Sequence, residues 1–453
     1  LHKAIRRQRQ MCIRDRYMAL SIAMLCLSCL SVVIATAFNA KAHIGKVRIH
    51  FYWVIPLICA IVLIATDHVP WQQVVDQFFG SSSMNPLKTL AIFLSMSAMS
   101  VYLDKVGFFK YLATRVMKHA GTSQKKLFVL LYLIISLVTL FTSNSTIVLT
   151  FTPFICYFAK HSNINPVPYV FMEYVAANTW SMFLVIGNTT NVYVASYFGV
   201  EFLYYVRMMA LPTVFAAITS FTLLYIIFRK DLRAPLQASE LEITIRNKPA
   251  LLVGILGLGI CTVLLIISSY IGLEMWIVCL CSAVTVIILA AICFLAKKQS
   301  LHPLAKTAKR MPWHLIPFLL SMFVVVLGLM NSGVTESIAE VFDNKYSLLS
   351  FGALSAGASN LMNNLPMSMF FVGILSSVSD PNLTPAVFAT IIGSNMGSLF
   401  TPVASMSAMM WLSIVKHKNV DFRFKDFVKK GVFITLPTLG AALGGLSLMM
   451  LTI

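Results

Sequence analysis

The residues able to do chemistry lie in two polar interruptions of an apolar chain. Ser143-Asn144-Ser145-Thr146, followed by Asn178 to Asn191, returns as Asn363-Asn364-Leu365-Pro366, followed by Asn395 to Ser405. The separations nearly agree: 219 residues from Asn144 to Asn363 and 217 from Asn178 to Asn395. Polar, helix-breaking residues are costly at bilayer depth unless protein or a watery cavity surrounds them, so a duplicated pair of breaks points to a site between two repeats. Unwound carbonyls with Ser, Thr and Asn oxygens ligate a hard cation, and half-helix N-termini favour an anion. Ser143, Asn144, Thr146, Asn188, Thr190 and Asn191 form one expected half-site, and Asn363, Asn364, Ser394, Asn395, Thr401 and Ser405 the other. A lone Asn or Pro often only caps or kinks a helix; the paired recurrence argues for an ion or oxyanion site.

The composition sets the class of the molecule that carries these breaks. Hydrophobic residues make up 58% and charged residues 11% of the 453, and mean hydropathy is +0.82, which predicts an all-α polytopic membrane protein. A formal charge of +19 could suggest nucleic-acid binding, but the basic residues are scattered through short loops between apolar runs, so none is expected. The nine cysteines lie mostly in apolar stretches without metal-ligand spacing, and the 24 methionines are read as packing. No metal site and no bound cofactor is expected, only a coupling ion, H+ or Na+. Residues 1–16 read as a non-native or disordered basic arm, with the start near Met18.

Apolar segments of spanning length run over about 17–38, 50–66 and 87–103. Then come 127–159, interrupted at Thr142 to Thr146, 166–200, broken at Gly187 to Asn191, and 206–228. The second half repeats the order: 251–269, 273–296, 314–331, 348–378 interrupted at Asn363 to Pro366, 385–415 broken at Ser398 to Ser405, and 431–453. Residues 17–230 thus form a first repeat, 231–248 a cytoplasmic linker and 249–453 a second repeat. If each hairpin is re-entrant, each half makes an odd number of crossings and the second half is inverted. Lysines and arginines such as Lys105, Lys126, Lys160, Arg229, Lys298, Arg310 and Lys416 then collect on one side, which the positive-inside rule makes cytoplasmic. Only Lys88, Arg207 and Lys345 fall opposite. The prediction is ten crossings in the plasma (bacterial inner) membrane.

Motifs along nearly the whole chain resemble the arsenite efflux permease (ArsB) family, within the ArsB/NhaD and citrate-transporter-like ion transporter superfamily. They include Leu103-Asp104-Lys105-Val106-Gly107-Phe108-Phe109, Phe228-Arg229-Lys230-Asp231, Pro312-Trp313 and Gly328-Leu329-Met330-Asn331-Ser332-Gly333. Met362-Asn363-Asn364-Leu365-Pro366, Ile391-Ile392-Gly393-Ser394-Asn395-Met396-Gly397, Thr401-Pro402 and Trp411-Leu412 complete the set. The resemblance implies an inverted-repeat fold with two re-entrant hairpins, ion-coupled permease activity with elevator- or rocking-type alternating access, and efflux of an arsenite or antimonite type of oxyanion. Where the family carries acids, this chain has Ser145, Asn178 and Asn395, and Leu399 stands in place of a Lys. Amides do not shuttle protons, which opens a rival: a sodium-coupled permease or antiporter for another small anion, dicarboxylate or sulfate, or Na+/H+ exchange.

Glu173 is the one candidate proton carrier. An ionisable group at the centre of a span costs about 2.5 to 3.5 kcal/mol and is functional by default; the alternative is a carboxyl high enough in its helix to meet interfacial water or Lys160. An enzyme is not expected, because no nucleophile with a positioned base falls inside the spans. The expected partners are the small inorganic or organic anion, the lipid bilayer, a second copy in a homodimer and, by the resemblance, an ATPase subunit, since the chain itself has no nucleotide-binding loop.

Overall fold

A segment with no water to bond must satisfy its amides internally, and almost every long apolar run here is a helix. The computed structural model describes residues 18–32, 34–35, 41–44, 47–80, 85–235, 245, 247–341, 347–378 and 383–452. The basic arm 1–16, Lys345 and most of the linker 231–248 lie outside them.

In the amino-terminal half the order is α1 (Met18–Val32), a two-stranded hairpin of β1 (Lys41–Ile44) and β2 (Val47–His50), α2 (Val54–Ala65), α3 (Trp71–Phe79), α4 (Pro86–Val106) and α5 (Phe108–Ala120). Then follow α6 (Gln124–Phe141), α7 (Asn144–His161), α8 (Val167–Trp180), α9 (Thr189–Tyr197) and α10 (Phe202–Phe228). The carboxy-terminal half runs α11 (Lys248–Ile271), α12 (Met275–Ala296), α13 (His302–Arg310), α14 (Leu315–Asn331) and α15 (Val334–Val341). It ends with α16 (Ser347–Met362), α17 (Asn364–Ser377), α18 (Thr384–Gly397), α19 (Met406–His417) and α20 (Phe424–Met450).

Local sequence sets many of these ends. Asn85 accepts from Leu87 N and Lys88 N with Pro86 at the first position, and Gly107, at φ 94°, ends α4 in the left-handed conformation. Ser123 caps α6 and Asn247 caps α11. Among the described residues seven helices are long and apolar enough to cross a membrane, α6 included, while α16 and α17 are shorter. Four helices were not expected. The short α3, α5, α13 and α15 flank α4 and α14 in matching order, one before and one after each. They are amphipathic, and each alone is shorter than the roughly 20 residues a span needs.

Packing is exchanged between the halves. α2 lies on α14 while α12 lies on α4; α7 lies on α19 while α17 lies on α9; and α10 lies along α20. Hydrogen bonds follow the same exchange. Tyr102 OH of α4 donates to the Ala250 carbonyl of α11 at 2.6 Å, and Ser21 Oγ of α1 donates to the Gly328 carbonyl of α14 at 3.1 Å. At one end of α4, Asp104 pairs with Lys105 and with Arg310 of α13. At the matching end of α14, Asn331 and Gln73 of α3 exchange amide bonds of 3.0 and 2.8 Å.

Candidate functional site

The hairpin tips and helix breaks meet in the core. Ser143 ends the α6–α7 turn: its Oγ accepts from Thr146 N at 3.3 Å and shares a bond with Thr146 Oγ1 at 2.9 Å. Asn144 Oδ1 accepts from Ser145 N at 2.8 Å, and its Nδ2 donates to Asn178 Oδ1 of α8 at 3.1 Å. Asn178 in turn donates to the Tyr174 carbonyl at 2.8 Å. The second hairpin repeats the contact, Asn364 Nδ2 donating to Ser398 Oγ at 3.3 Å, and both bonds span 34 residues of chain. Asn364 N donates to the Ala404 carbonyl at 2.8 Å and Asn363 Nδ2 to the Val403 carbonyl at 3.1 Å, which ties this tip to the break between α18 and α19. Asn363 has φ 73° and ψ 150°, a conformation costing on the order of 1–3 kcal/mol outside glycine and characteristic of functional sites.

Asn395, near the end of α18, joins the halves. Its Oδ1 accepts from Asn188 Nδ2 at 2.9 Å and Ser181 Oγ at 3.3 Å; its Nδ2 donates to Asn191 Oδ1 at 2.7 Å and the Ile391 carbonyl at 2.8 Å. Asn191 Nδ2 reaches the carbonyls of Ser181 at 2.9 Å and Leu184 at 3.4 Å. Asn188, Asn191 and Asn395 thus join the two expected half-sites. A further crosslink runs from Tyr174 OH to the Ser398 carbonyl at 2.6 Å.

The break in the first half opens earlier than the sequence suggested. α8 ends at Trp180, residues 181–188 are unwound apart from a single turn at Val185–Gly187, and Thr190 and Asn191 already lie in the first turn of α9. The second break, 398–405, falls where expected. There Ser405 caps α19 through Ala408 N at 3.1 Å, and Ser394 Oγ receives Ser368 Oγ at 3.4 Å. Thr401 stands apart and donates to Asn360 Oδ1 at 2.7 Å. Asn360, Tyr174 and Ser181 take part although sequence reading passed them over, and Ser398, expected only as the start of the break, bonds to Asn364.

Two buried atoms of the cluster make no hydrogen bond, Thr190 Oγ1 and Asn363 Oδ1. They retain capacity to hold a solute. Glu173 is fully buried. Thr152 Oγ1 of α7 donates to its Oε2 at 2.8 Å, and Oε1 has no partner. Burial and the bond to Thr152 tell against the alternative that placed Glu173 near interfacial water or Lys160, and the next residue, Tyr174, packs in a ring cluster with Trp411 and Phe427.

The cluster itself is closed, with Asn144, Asn188 and Asn364 at most 5% exposed and Asn191, Asn363 and Asn395 not exposed. Two cavities lie at the far ends of α9 and α18. One cavity of about 510 Å³ and another of about 410 Å³ share Gly199, Val200 and Glu201 there. In the smaller, Lys88 pairs with Glu274 at 2.6 Å, and Trp276 Nε1 donates to the same carboxylate at 2.8 Å. The Lys88 hydrogen bond holds the Glu274 carboxyl below its ordinary range. Among the described residues, no group of three or more His, Cys, Asp or Glu could hold a metal ion.

A bundle of apolar helices closed around paired polar breaks defines a polytopic membrane transporter. Residues 45–393 match the citrate transporter family, and the chain belongs to it. It is similar to the arsenical pump membrane protein of Escherichia coli, 28% identical over 384 residues that cover 79% of this chain and 85% of that protein. The putative arsenical pump membrane protein of Bacillus subtilis is 24% identical over 371 residues, covering 75% and 83%. Among solved structures, the Alcanivorax borkumensis YdaH transporter superposes with a TM-score of 0.58 at 12% identity, covering 96% of this chain and 98% of that one, which is a likeness of fold. The chain is an integral membrane protein, consistent with the bacterial inner membrane.

Proposed function

We propose that this protein is a secondary active transporter exporting an oxyanion of the arsenite or antimonite type, coupled to an ion gradient. The observation that carries the reading is the closed cluster built from both halves, in which Thr190 Oγ1 and Asn363 Oδ1 keep unused hydrogen-bonding capacity. The names of the relatives, arsenical pump membrane proteins, support the choice of solute. Residues Ser143, Asn144, Thr146, Asn188, Thr190 and Asn191 with Asn363, Asn364, Ser394, Asn395, Thr401 and Ser405 are the proposed binding region, some as ligands and some as struts. Glu173 is the proposed proton carrier, being a buried carboxyl with one unpartnered oxygen.

The exchanged packing of α2 on α14 and α12 on α4 supports two repeats related by a two-fold axis, since such an axis makes each contact occur twice with the partners swapped. Repeats at 17–230 and 249–453, joined by a cytoplasmic linker at 231–248 and inverted across ten crossings, account for it and for the lysine and arginine distribution. The rival reading, a sodium-coupled permease or antiporter for another small anion or Na+/H+ exchange, draws on the family match and on neutral side chains at positions 145, 178 and 395.

Proteoliposome flux separates them. Arsenite, dicarboxylate and sulfate are offered in turn under imposed proton and sodium gradients. Proton-driven arsenite flux lost in Glu173→Gln supports the first reading; sodium-dependent flux of another anion with arsenite inert replaces it. A homodimer and an ATPase subunit are further proposals, tested by the mass of the purified particle and by ATP dependence of efflux in cells.

A further inference from the structure

Asn395 spends its whole hydrogen-bonding capacity inside the protein. An amide has two N–H donors and two acceptor lone pairs, and all four are used, by Asn188, Ser181, Asn191 and the Ile391 carbonyl. The direction of the bonds is imposed from outside. Asn191 Nδ2 faces the carbonyl oxygens of Ser181 and Leu184, which only accept; turning that amide over would set oxygen against oxygen twice. Asn191 therefore presents Oδ1 to Asn395, and Asn395 must donate. Its Nδ2 also faces the Ile391 carbonyl, another acceptor, so its own Oδ1 is left for Asn188 Nδ2.

We propose that Asn395 is a positioning residue in a one-way amide relay, Asn188 to Asn395 to Asn191 to the carbonyls of the α8–α9 break, which ties α18 to the opposite half in the closed state. A neutral amide is then required at 188 and 395. An ionised carboxylate at 395 would face Asn191 Oδ1 and the Ile391 carbonyl with acceptors only; at 188 it would face Asn395 Oδ1. A protonated carboxyl supplies the one donor needed at 188 and one of the two needed at 395. Position 188 separates this role from helix capping. Asn188 also caps α9, its Oδ1 accepting from Thr190 N at 3.5 Å, and an ionised carboxylate serves well as an N-cap at the positive end of a helix. Capping alone predicts that Asn188→Asp is tolerated best when the new side chain is charged; the relay predicts the reverse.

The elements packed on α18 carry Tyr169, Glu173 and Tyr174 (α8), Tyr193 and Tyr197 (α9), Tyr204, Tyr205, Arg207 and Tyr225 (α10), and Lys425, Asp426, Lys429 and Lys430 (α20). Against α9 and the break, α4 adds Lys88, Tyr102, Asp104 and Lys105, and α6 adds Lys125, Lys126 and Tyr132; α16 and α17 carry no ionisable group. None of these hydrogen-bonds to Asn188, Asn191 or Asn395.

The test is thermal unfolding of the full chain in nanodiscs at about pH 5 and about pH 8 for wild type, Asn395→Asp, Asn188→Asp and Asn395→Ala. At the lower pH Asn188→Asp should melt near wild type and Asn395→Asp below it by the one acceptor it leaves unpaired, and both should fall toward Asn395→Ala at the higher. Each pH unit above the unfolded aspartate's value, about 3.9, lowers the folded-to-unfolded ratio by up to about tenfold until the folded group ionises. A pH-independent offset in Asn395→Asp overturns the relay, and so does an Asn188→Asp protein that gains on wild type as pH rises. If Asn395→Asp does not fold, Asn188→Asp decides; failure of both at pH 5 also refutes the idea, because the protonated acid should serve. Only a flux arm depends on the transport reading: Asn395→Asp flux present in acid and lost at the higher pH. The expected melting behaviour without arsenite flux in wild type would keep the relay and remove the proposed solute.

Discussion

Alanine at the two hairpin asparagines should separate stability from transport. Asn144→Ala removes the donor to Asn178 Oδ1, and Asn178 has no way to compensate, because its Nδ2 is held by the Tyr174 carbonyl. A buried acceptor left alone costs about 1–3 kcal/mol, and Ala in a helix returns at most about 0.7 kcal/mol. The folded-to-unfolded ratio should therefore drop by a factor between about two and about a hundred. Asn364→Ala costs less. Ser398 Oγ loses the Asn364 donor but still donates to the Ser394 carbonyl at 3.1 Å, so the loss is an ordinary bond, about 0.5–1.5 kcal/mol. Yet both variants should abolish flux, since each removes a side chain at a hairpin tip. The assay pairs melting in nanodiscs with proteoliposome uptake at equal protein density. Flux that falls in proportion to stability, weakly in Asn364→Ala and strongly in Asn144→Ala, would mean the asparagines serve the fold; normal flux in both would remove the site assignment altogether.

Three more outcomes are expected. Glu173→Gln keeps an acceptor for Thr152 and should leave melting near wild type while ending proton-driven uptake, so proton-coupled flux persisting in that variant would exclude Glu173 as carrier. Lys88→Gln should cost under about 1 kcal/mol, because the pair with Glu274 is partly exposed. Glu274 is depressed by Lys88, so this contribution is present above its unfolded value and lost as pH falls through the folded one; a melting difference that grows in acid would contradict it. Gly393→Ala should prevent correct assembly, since a methyl there would collide with Ser355 Oγ and the Gly352 carbonyl where α16 and α18 touch; wild-type yield and melting would show that the contact yields freely.

The breaks were legible because Asn, Ser and Pro interrupt long apolar runs, and α17 and α19 begin at Asn364 and Met406 accordingly. The start of the first break was not. Ser181 to Ile186 reads as apolar helix, and its unwinding depends on distant groups: the Asn191 amide caps the Ser181 and Leu184 carbonyls, and Gly187 lets the chain pass against Ser181. Pairing across the halves was hidden for a similar reason. Spacing relates Asn178 to Asn395 as repeats of one another, but Asn395 bonds to Asn188 and Asn191 instead. The amphipathic α3, α5, α13 and α15 were read as loops, since their charged residues mask a helical period too short to stand out.

The exchanged packing bears on how the chain is made. When the amino-terminal half leaves the ribosome, α2, α4, α7 and α9 have yet to meet α14, α12, α19 and α17, on which they come to lie, and Asn191 Oδ1 lacks its Asn395 donor. The nascent half thus enters the bilayer with polar groups that only later synthesis can cover. Shielding by insertion machinery or by provisional self-pairing has to last until α18 is delivered, so truncations ending before Asn395 should be degraded and not accumulate as stable half-proteins.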